Sequence, residues 1–482
     1  MMFNKVLALA GFVALASAQG TGFPEGDRVR ELWQMPDLGN GFYSGYLPVA
    51  GTQKLLHYMA TLSRNDPKND PSIIWFNGGP GCSSMLGFAQ ENGPYIINEG
   101  TYNFTYNDWA WNNNANVFFI EMPAGVGYSI CGKQSECVFD DNNSADDNLQ
   151  AVLYLFQNKF TALQNNSLYI SGESYAGIYV PQLALRIDRF INATAPTGKW
   201  VPNFKGFMVG NGVTNWKFDC DPAYFHMAYF HGMISNELWN NFTANNCSFA
   251  NVNAPTPDPM SPVCTGIYNQ FQNQVSLINE YNVFGTCWRG NQSNTRMGFV
   301  SDDEENNNKL LSGKQYTPFL GRYKNNFRTR NLQELPPCAW GGPIVDYFNN
   351  PLVLSQLNID PKSPKWDFCS DINYTPDQNA TQWIYPLLKD KYNMLKYSGD
   401  ADGAVPTFGT QAWINDLNWD IIEPWRPYYV TNMYGQQVGG YVERRSGNLW
   451  FASIHGAGHQ APAYRPQVTY HAIMNFINGI PL

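Results

Sequence analysis

The stretch SLYISGESYAG, residues 167–177, decides the fold prediction. It begins as a short apolar run typical of a buried strand, and the residues that follow Tyr175 have the apolar spacing of a helix. Ser174 therefore falls in a sharp turn between a strand and a helix, flanked two positions away by Gly172 and Ala176. Small residues are needed there because the strand and the helix cross closely, and the serine hydroxyl then projects above the sheet. The pattern predicts a nucleophilic serine on an elbow between two elements.

Other strand-like runs alternate with helical stretches along the chain. The predicted strands cover residues 55–62, 72–76, 117–120, 204–209, 394–397 and 449–454, and a helix is predicted over residues 146–160. This alternation predicts an α/β fold with a mainly parallel sheet. Residues 213–340 differ, because they hold five of the nine cysteines and several loops rich in Asn, Pro and Asp. We therefore predict core segments 19–212 and 341–482, with residues 213–340 as an inserted cap.

The N-terminus has the features of a secretory signal peptide. An apolar run follows Lys5 and ends in Ala16-Ser17-Ala18, which fits a small-residue cleavage site, so residues 1–18 are predicted to be removed. The run is too short to span a bilayer, and no later stretch is long and apolar enough, so no membrane association is expected. Nine N-x-[ST] sequons agree with a secretory route: Asn103, Asn142, Asn165, Asn192, Asn241, Asn246, Asn291, Asn373 and Asn379. We predict delivery to the lysosome or vacuole, or secretion.

The composition excludes some classes of protein. Hydrophobic residues make up 44% of the 482 residues and charged residues 14%, which supports a large core and argues against wholesale disorder. The net charge is −9, and no cluster of Lys and Arg residues stands out. A nucleic-acid binder normally needs a basic patch, so no nucleic-acid partner is expected.

Two late segments offer partners for the serine. His455 and His459 lie in HGAGHQAP, directly after a predicted strand. Their spacing would suit a metal on a helix, but the glycines between them argue against a helix. Asp400 and Asp402 lie in SGDADG, again just beyond a strand. The order serine, acid, histidine is that of a hydrolase of this type, whereas a core histidine and an Asp/Gly turn are the structural alternatives.

At these motifs the chain resembles the serine carboxypeptidase family. The family signature is matched by WFNGGPGCSS, residues 75–84, and its nucleophile motif by GESYAG, residues 172–177. The segment GDAD, residues 399–402, and the pair Gly458-His459 match the acid and base motifs in the right order. The resemblance covers residues 25–480 and implies an α/β-hydrolase fold, in which a cap is inserted into a core built on a mostly parallel sheet.

The resemblance also assigns catalytic roles. Ser174 would be the nucleophile, His459 the general base, and Asp402 the residue that orients the imidazole. The family uses the second aspartate of its acid motif, which selects Asp402. The backbone N–H groups of Gly79 and Tyr175 would form the oxyanion hole, and elbow geometry independently predicts a donor from the residue after the nucleophile. The resemblance implies neither a metal ion nor an organic cofactor.

A carboxypeptidase must also bind the free C-terminus of its peptide or protein substrate. In the family an Asn, a Gly backbone and two Glu residues do this, and here they match Asn77, Gly78, Glu91 and Glu173. Two glutamates facing a carboxylate repel it unless they are protonated, in which case a neutral carboxyl donates a hydrogen bond. Crowded carboxyls raise each other's pKa, so the set predicts an enzyme that works best at acidic pH.

The cysteines are only partly assigned. The resemblance implies a disulfide between Cys82 and Cys338, and Cys247 with Cys264 is a plausible local pair in the cap. Five further cysteines have no predicted partner: Cys131, Cys137, Cys220, Cys287 and Cys369.

Other interpretations of the function stay open at this point. Family members include acyltransferases and hydroxynitrile lyases that use the same triad, and a catalytically silent glycoprotein is a further alternative. Retention of Asn77, Glu91 and Glu173 favours peptidase activity, and no triad residue is lost. Relatives are often dimers, so a homodimer is also an open alternative.

Overall fold

The structure is a computed structural model, and it describes residues 21–36, 38–39, 41–98, 102–285 and 343–482. The predicted signal peptide, residues 1–18, lies outside the described residues. So do Asn291, Cys287 and Cys338.

The described residues contain fifteen strands, most of them in one large mixed sheet. In chain order the strands are β1 (Phe42–Pro48), β2 (Lys54–Thr61), β3 (Ser72–Phe76), β4 (Tyr95–Ile97), β5 (Phe104–Tyr106), β6 (Asn116–Ile120), β7 (Ile130–Cys131), β8 (Val138–Asp140), β9 (Leu168–Glu173), β10 (Phe204–Gly210), β11 (Asn373–Thr375), β12 (Asn393–Gly399), β13 (Ile421–Asn432), β14 (Gly435–Arg445) and β15 (Leu449–Ile454). The large sheet has the order β1-β2-β6-β3-β9-β10-β12-β15-β14-β13, with β7 against β2. Two small sheets pair β4 with β5 and β8 with β11.

Helices alternate with these strands. They are α1 (Asp141–Tyr154), α2 (Ala176–Thr194), α3 (Asp221–Phe230), α4 (Asn236–Ala244), α5 (Pro262–Val275), α6 (Pro343–Phe348), α7 (Pro351–Gln356), α8 (Tyr385–Leu388), α9 (Thr407–Asp416), α10 (Ala461–Tyr464) and α11 (Pro466–Ile477). Short 3₁₀ turns cover Glu25–Asp27, Trp111–Asn113, Gln134–Glu136, Thr161–Leu163, Ala195–Thr197 and Gln382–Ile384, and π-helical turns cover Gly87–Glu91 and Leu155–Lys159. Within the described ranges, no helix combines the length and apolarity that crossing a bilayer requires.

The centre of the large sheet is parallel, which confirms the predicted α/β fold. Strands β6, β3, β9, β10, β12 and β15 pair in parallel. One apolar cluster packs this sheet against α1 and α2, and a second packs it against α11. Because parallel strands are covered on both faces, they read in sequence as continuous apolar runs. Their carboxyl ends meet at one edge of the sheet, where ligands and catalytic groups of open α/β sheets collect.

Helix α1 begins earlier than the helix predicted over residues 146–160. Asp140 caps the helix, because its Oδ1 accepts hydrogen bonds from the backbone N–H groups of Asn142 (2.8 Å) and Asn143 (2.7 Å). The helix therefore starts at Asp141, and its last turn continues into the π-helical turn Leu155–Lys159. The polar first turn has no apolar periodicity, and this is why the sequence pattern placed the start too late.

The antiparallel pair β13 and β14 was not predicted. Pro424 and Pro427 lie in β13, and prolines normally argue against a strand. Among the described residues β13 is the last strand of the sheet, so no described strand lies on its outer side and requires its N–H groups. Prolines are tolerated at such an edge.

Helices α3, α4 and α5 form a third apolar cluster, rich in aromatic side chains and distinct from the two core clusters. The disulfide Cys247–Cys264 links this region, as predicted. These helices lie in the predicted cap, although its limits at 213 and 340 stay a prediction.

The predicted disulfide between Cys82 and Cys338 is wrong, because Cys82 is bonded to Cys369. The backbones around these two residues run antiparallel, with Ser83 N–H donating to Phe368 O at 2.8 Å and Ser370 N–H donating to Gly81 O at 2.9 Å. This pairing places the two sulfurs side by side. A further disulfide joins Cys131 and Cys137, and Cys220 is a buried thiol.

Candidate active site

Ser174 lies on a tight elbow directly after β9. Its backbone has φ = +63°, in the left-handed region that residues with a side chain rarely adopt. A Cβ on Gly172 would lie 2.4 Å from Phe76 O and 2.6 Å from the Cβ of Ala176, so glycine is required there. Alanine is accommodated at position 176 only because position 172 has no side chain.

His459 and Asp402 form a buried pair. The imidazole Nδ1 lies 2.8 Å from Oδ2 of Asp402, and the two residues are 3% and 0% exposed. Since a carboxylate only accepts, Nδ1 donates, which leaves Nε2 free of a proton in the neutral ring. Among the described residues Nε2 has no hydrogen-bond partner. Backbone N–H groups of Ala404 and Val405 also donate to Asp402, at 2.8 and 3.1 Å, and hold its carboxylate in place.

The other predicted acid and histidine pair with each other instead. His455 Nδ1 lies 2.7 Å from Oδ2 of Asp400, and Gly456 N–H donates to Oδ1 of the same aspartate. The side chain of His455 is 57% exposed. His455 and His459 therefore hydrogen-bond to different aspartates, an arrangement that does not fit two ligands of one metal ion. Of the two pairs, the buried His459–Asp402 pair is the one that can supply a general base.

A cluster of Asn77, Glu91 and Glu173 is buried beside the elbow. Asn77 Nδ2 donates to Oε1 of Glu91 at 2.8 Å and to Oε1 of Glu173 at 3.1 Å. The orientation of this amide is fixed, because its Oδ1 accepts from Trp75 Nε1 at 2.8 Å and from Gly87 N–H at 3.0 Å. Glu91 ends a π-helical turn, whereas Glu173 is the last residue of β9.

Burial governs the ionisation of this pair. Burial raises the pKa of Glu91, and burial followed by the charge of Glu91 raises the pKa of Glu173 well above its usual range. Among the described residues Oε2 of Glu91 and Oε2 of Glu173 are buried without a hydrogen-bond partner, which disfavours a negative charge on both carboxyl groups at once. The pair can therefore supply a hydrogen-bond donor where two carboxylates would supply only negative charge.

Gly78 and Gly79 let two backbone turns approach each other. A Cβ on Gly78 would lie 2.4 Å from Tyr175 N. Gly79 has φ = +118°, and a Cβ there would lie 2.8 Å from Cys82 N. The turn after β3 and the elbow after β9 thus meet without intervening side chains.

Most of the predicted site residues line one small cleft. Ser174 and His459 face it together with Asn77, Gly78, Gly79, Cys82, Leu86, Glu173, Tyr281 and Gln460. Asp402 lies behind His459, and Glu91 lies behind Asn77. The cleft thus combines a serine, a histidine base and a protonatable carboxyl pair.

Sequence reasoning missed Asn211, at the end of β10. Its Nδ2 donates to Oδ2 of Asp402 at 2.9 Å, and its Oδ1 accepts from Gly399 N–H at 2.8 Å, which fixes the amide orientation. Its φ of +36° suits asparagine better than most residues. An Asn-Gly pair after a predicted strand was the available signal, but it does not reveal a partner so distant in the chain.

A segment of the predicted cap also reaches the site. Gly403 N–H donates to Glu280 O, and His459 N–H donates to Tyr281 O, each at 2.7 Å. The ring of Tyr281 packs edge-on against the His459 imidazole, with centroids 4.8 Å apart. The loop that carries Asp402 and the loop that carries His459 are thus anchored to the same short segment. The sequence carried no signal for these contacts.

Comparison with known proteins finds relatives that match nearly the whole length of this chain. The sequence model of the serine carboxypeptidase family matches residues 35–479. The lysosomal protective protein of Mus musculus is 33% identical over 450 residues, covering 91% of this chain and 90% of that protein. The serine carboxypeptidase ctsa-4.1 of Caenorhabditis elegans is 33% identical over 475 residues, covering 95% and 94%.

A solved structure shows a related fold. The prohormone-processing carboxypeptidase Kex1 from Saccharomyces cerevisiae aligns with a TM-score of 0.69 at 19% identity, covering 95% of this chain and 96% of that one. Relatives named as serine carboxypeptidases do not favour the acyltransferase or the non-catalytic alternative. The chain belongs to the serine carboxypeptidase family and is a serine-type carboxypeptidase with the α/β-hydrolase fold.

Proposed function

We propose that this enzyme releases the C-terminal residue of peptides and proteins through an acyl-enzyme on Ser174, and that it works best at acidic pH. The observation that carries the proposal is the buried Asn77–Glu91–Glu173 cluster in the wall of the cleft that holds Ser174 and His459. A protonatable carboxyl pair beside a nucleophile suits a substrate that presents a free carboxylate next to the bond to be cut.

The catalytic groups would act in two half-reactions. Ser174 Oγ attacks the carbonyl carbon of the last peptide bond while His459 Nε2 takes the hydroxyl proton. Asp402 stabilises the resulting imidazolium through its hydrogen bond to Nδ1. When the tetrahedral intermediate collapses, the imidazolium gives its proton to the leaving nitrogen and the free amino acid departs. Water, activated by the same imidazole, then hydrolyses the ester and restores Ser174.

The oxyanion of both tetrahedral intermediates would accept from the N–H groups of Gly79 and Tyr175. The close approach of Gly78 to the Tyr175 nitrogen supports this, because it brings the two turns within reach of one oxygen atom. Such donors are already oriented before the reaction begins, so stabilising the oxyanion requires no rearrangement of the protein and contributes strongly to catalysis.

The substrate carboxylate would accept from Asn77 Nδ2, from the Gly78 backbone and from the protonated member of the glutamate pair. A neutral carboxyl both donates a hydrogen bond and avoids charge repulsion. The raised pKa values of Glu91 and Glu173 support this arrangement at mildly acidic pH.

The test compares two N-blocked dipeptides that differ only at the C-terminus, one with a free acid and one with an amide. At mildly acidic pH we expect kcat/KM for the free acid to exceed that for the amide by more than about tenfold, since a charge-assisted hydrogen bond contributes about 1.5–3 kcal/mol. Equal cleavage of both would contradict recognition of the terminal carboxylate. Failure to cleave either, with Ser174 still reactive toward a phosphonate, would assign the triad to another acceptor.

Asn211 gives a second prediction about the same site. Asn211→Asp keeps the size of the side chain but replaces the donor to Asp402 with a carboxylate, so kcat should fall about tenfold through loss of one charge-assisted hydrogen bond. Thr407→Val is the matched control, because Thr407, at the start of α9, hydrogen-bonds to Ser398 and Gly399 at the end of β12 but not to Asp402. Steady-state kinetics on the free-acid dipeptide decide, and equal kcat values for the two variants would remove Asn211 from the positioning of Asp402.

We also infer passage through the secretory pathway to the lysosome or vacuole, or to the outside. Three disulfides in the described residues and the resemblance to a lysosomal protein support this route.

A further inference from the structure

Asp141 is a buried carboxylate with no part in the chemistry described above. It is the first residue of α1 and is 2% exposed. Burial raises its pKa to about 6, while hydrogen bonds to its oxygens oppose that rise. A carboxylate at this depth is costly unless donors surround it, so the identity of its donors shows what it holds.

Three groups from two distant segments donate to this carboxylate. The hydroxyls of Tyr175 and Tyr374 both donate to Oδ1, at 2.8 and 2.6 Å. The backbone N–H of Asp377 donates to Oδ2 at 2.6 Å. Asp141 thus ties the residue directly after the nucleophile to the start of α1, to β11 and to the residues just after β11.

The Tyr175 side chain is fixed along its whole length. Its ring packs edge-on against Tyr179 and Tyr374, with centroids 5.2 and 5.7 Å away, and the residue is 2% exposed. The hydroxyl at one end bonds to Asp141, and the backbone N–H at the other end faces the Gly78 turn. A side chain held at its tip and along its ring restricts rotation of the peptide that carries the N–H.

We propose that Asp141 is a positioning residue that holds the N–H of Tyr175 in its oxyanion-stabilising orientation through the Tyr175 hydroxyl. The proposal rests on the proposed function, in which this N–H is one of the two oxyanion donors. A purely structural role, in which Asp141 only joins α1 to the segment after β11, predicts different kinetics.

Two matched variants separate these roles. Tyr175→Phe and Tyr374→Phe each remove one hydroxyl donor from the same oxygen of Asp141 and leave a packed ring. Only the first releases the residue that carries the oxyanion donor. The readouts are kcat and KM on the free-acid dipeptide, and the inhibition constant of a peptidyl aldehyde whose adduct with Ser174 places an oxyanion in the hole.

For Tyr175→Phe we expect kcat to fall about tenfold and the aldehyde to bind about tenfold more weakly, because small displacements at a reacting centre are costly. KM should stay within about twofold, since the donor acts on the transition state and not on the bound substrate. For Tyr374→Phe both losses should stay below about threefold, because Tyr175 remains tied to Asp141. Thermal unfolding of both variants reports whether they lose similar stability.

Either of two results overturns the positioning role. One is wild-type kcat and aldehyde affinity in Tyr175→Phe, and the other is equal losses in the two variants, which indicates a shared packing defect. Failure of the proposed function looks different, because the wild-type enzyme would then not prefer the free-acid dipeptide. An active wild-type enzyme with an unaffected Tyr175→Phe variant overturns only the role of Asp141.

Discussion

Ser174→Ala is expected to lower kcat by at least about 10⁴-fold, the scale on which loss of a triad nucleophile acts. The variant lacks the oxygen that forms the acyl-enzyme, and no other hydroxyl shares its place on the elbow. Folding should be unaffected, because alanine keeps the Cβ and the elbow has already accepted φ = +63° at this residue. The measurement is single-turnover and steady-state hydrolysis of the free-acid dipeptide, together with thermal unfolding.

Ser171→Ala is the matched control for this variant. Ser171 is a fully buried serine on β9, whereas Ser174 follows β9 and is partly exposed, and Ser171 precedes the turn and does not line the cleft. It should keep most of the activity, whereas Ser174→Ala should lose the reaction with a serine-directed phosphonate as well as turnover. Hydrolysis retained by Ser174→Ala in a preparation free of other peptidases would remove Ser174 from the mechanism.

The features predicted well from sequence are those that local chemistry specifies. The elbow at Ser174 needs small neighbours within a few residues, so its signature is continuous in the chain. The parallel strands are buried on both faces, so they appear as apolar runs. The acid and base motifs also lie just after strands, and this placement brings Asp402 and His459 to the carboxyl edge of the sheet.

The features that were missed depend on contacts between distant segments. Asn211 contacts Asp402, and Asp141 contacts Tyr374, across long stretches of the chain. The partner of Cys82 was assigned wrongly for the same reason, since it depends on which backbone runs beside Gly81–Ser83. Local patterns carry no information about such pairings.

The kcat/KM for the free-acid dipeptide should fall steeply once the pH exceeds the higher pKa of the glutamate pair. We expect a loss of about tenfold per pH unit, and thus about a hundredfold over two units. Burial raises the pKa of Glu91 and of Glu173, and the charge of Asp402 contributes to the second shift. Below these pKa values the pair holds a proton and donates to the substrate carboxylate. Above them it repels that carboxylate, so the loss should appear in KM more than in kcat.

Replacing both residues, Glu91→Gln with Glu173→Gln, should flatten this loss, because glutamine is neutral and donates at every pH. The amide dipeptide is the control substrate, since it carries no carboxylate to repel and its slow cleavage should lack the fall. The two measurements are pH profiles of kcat/KM for both dipeptides with both enzymes. A double variant that loses efficiency with pH as steeply as the wild type would defeat the protonated-carboxyl account.

The direction of the pH effect separates the glutamate pair from the catalytic histidine. A general base acts only in its unprotonated form, so a fall in rate with rising pH cannot come from the base. Loss of the proton held by the Glu91–Glu173 pair decreases the rate toward substrates with a free C-terminus. A descending limb confined to substrates with a free C-terminus therefore cannot arise from His459.

The Glu91–Glu173 pair should also make the fold less stable as pH rises, because raised pKa values mean that the folded protein keeps protons which the unfolded chain releases. An acidic optimum would then reflect substrate recognition and stability together.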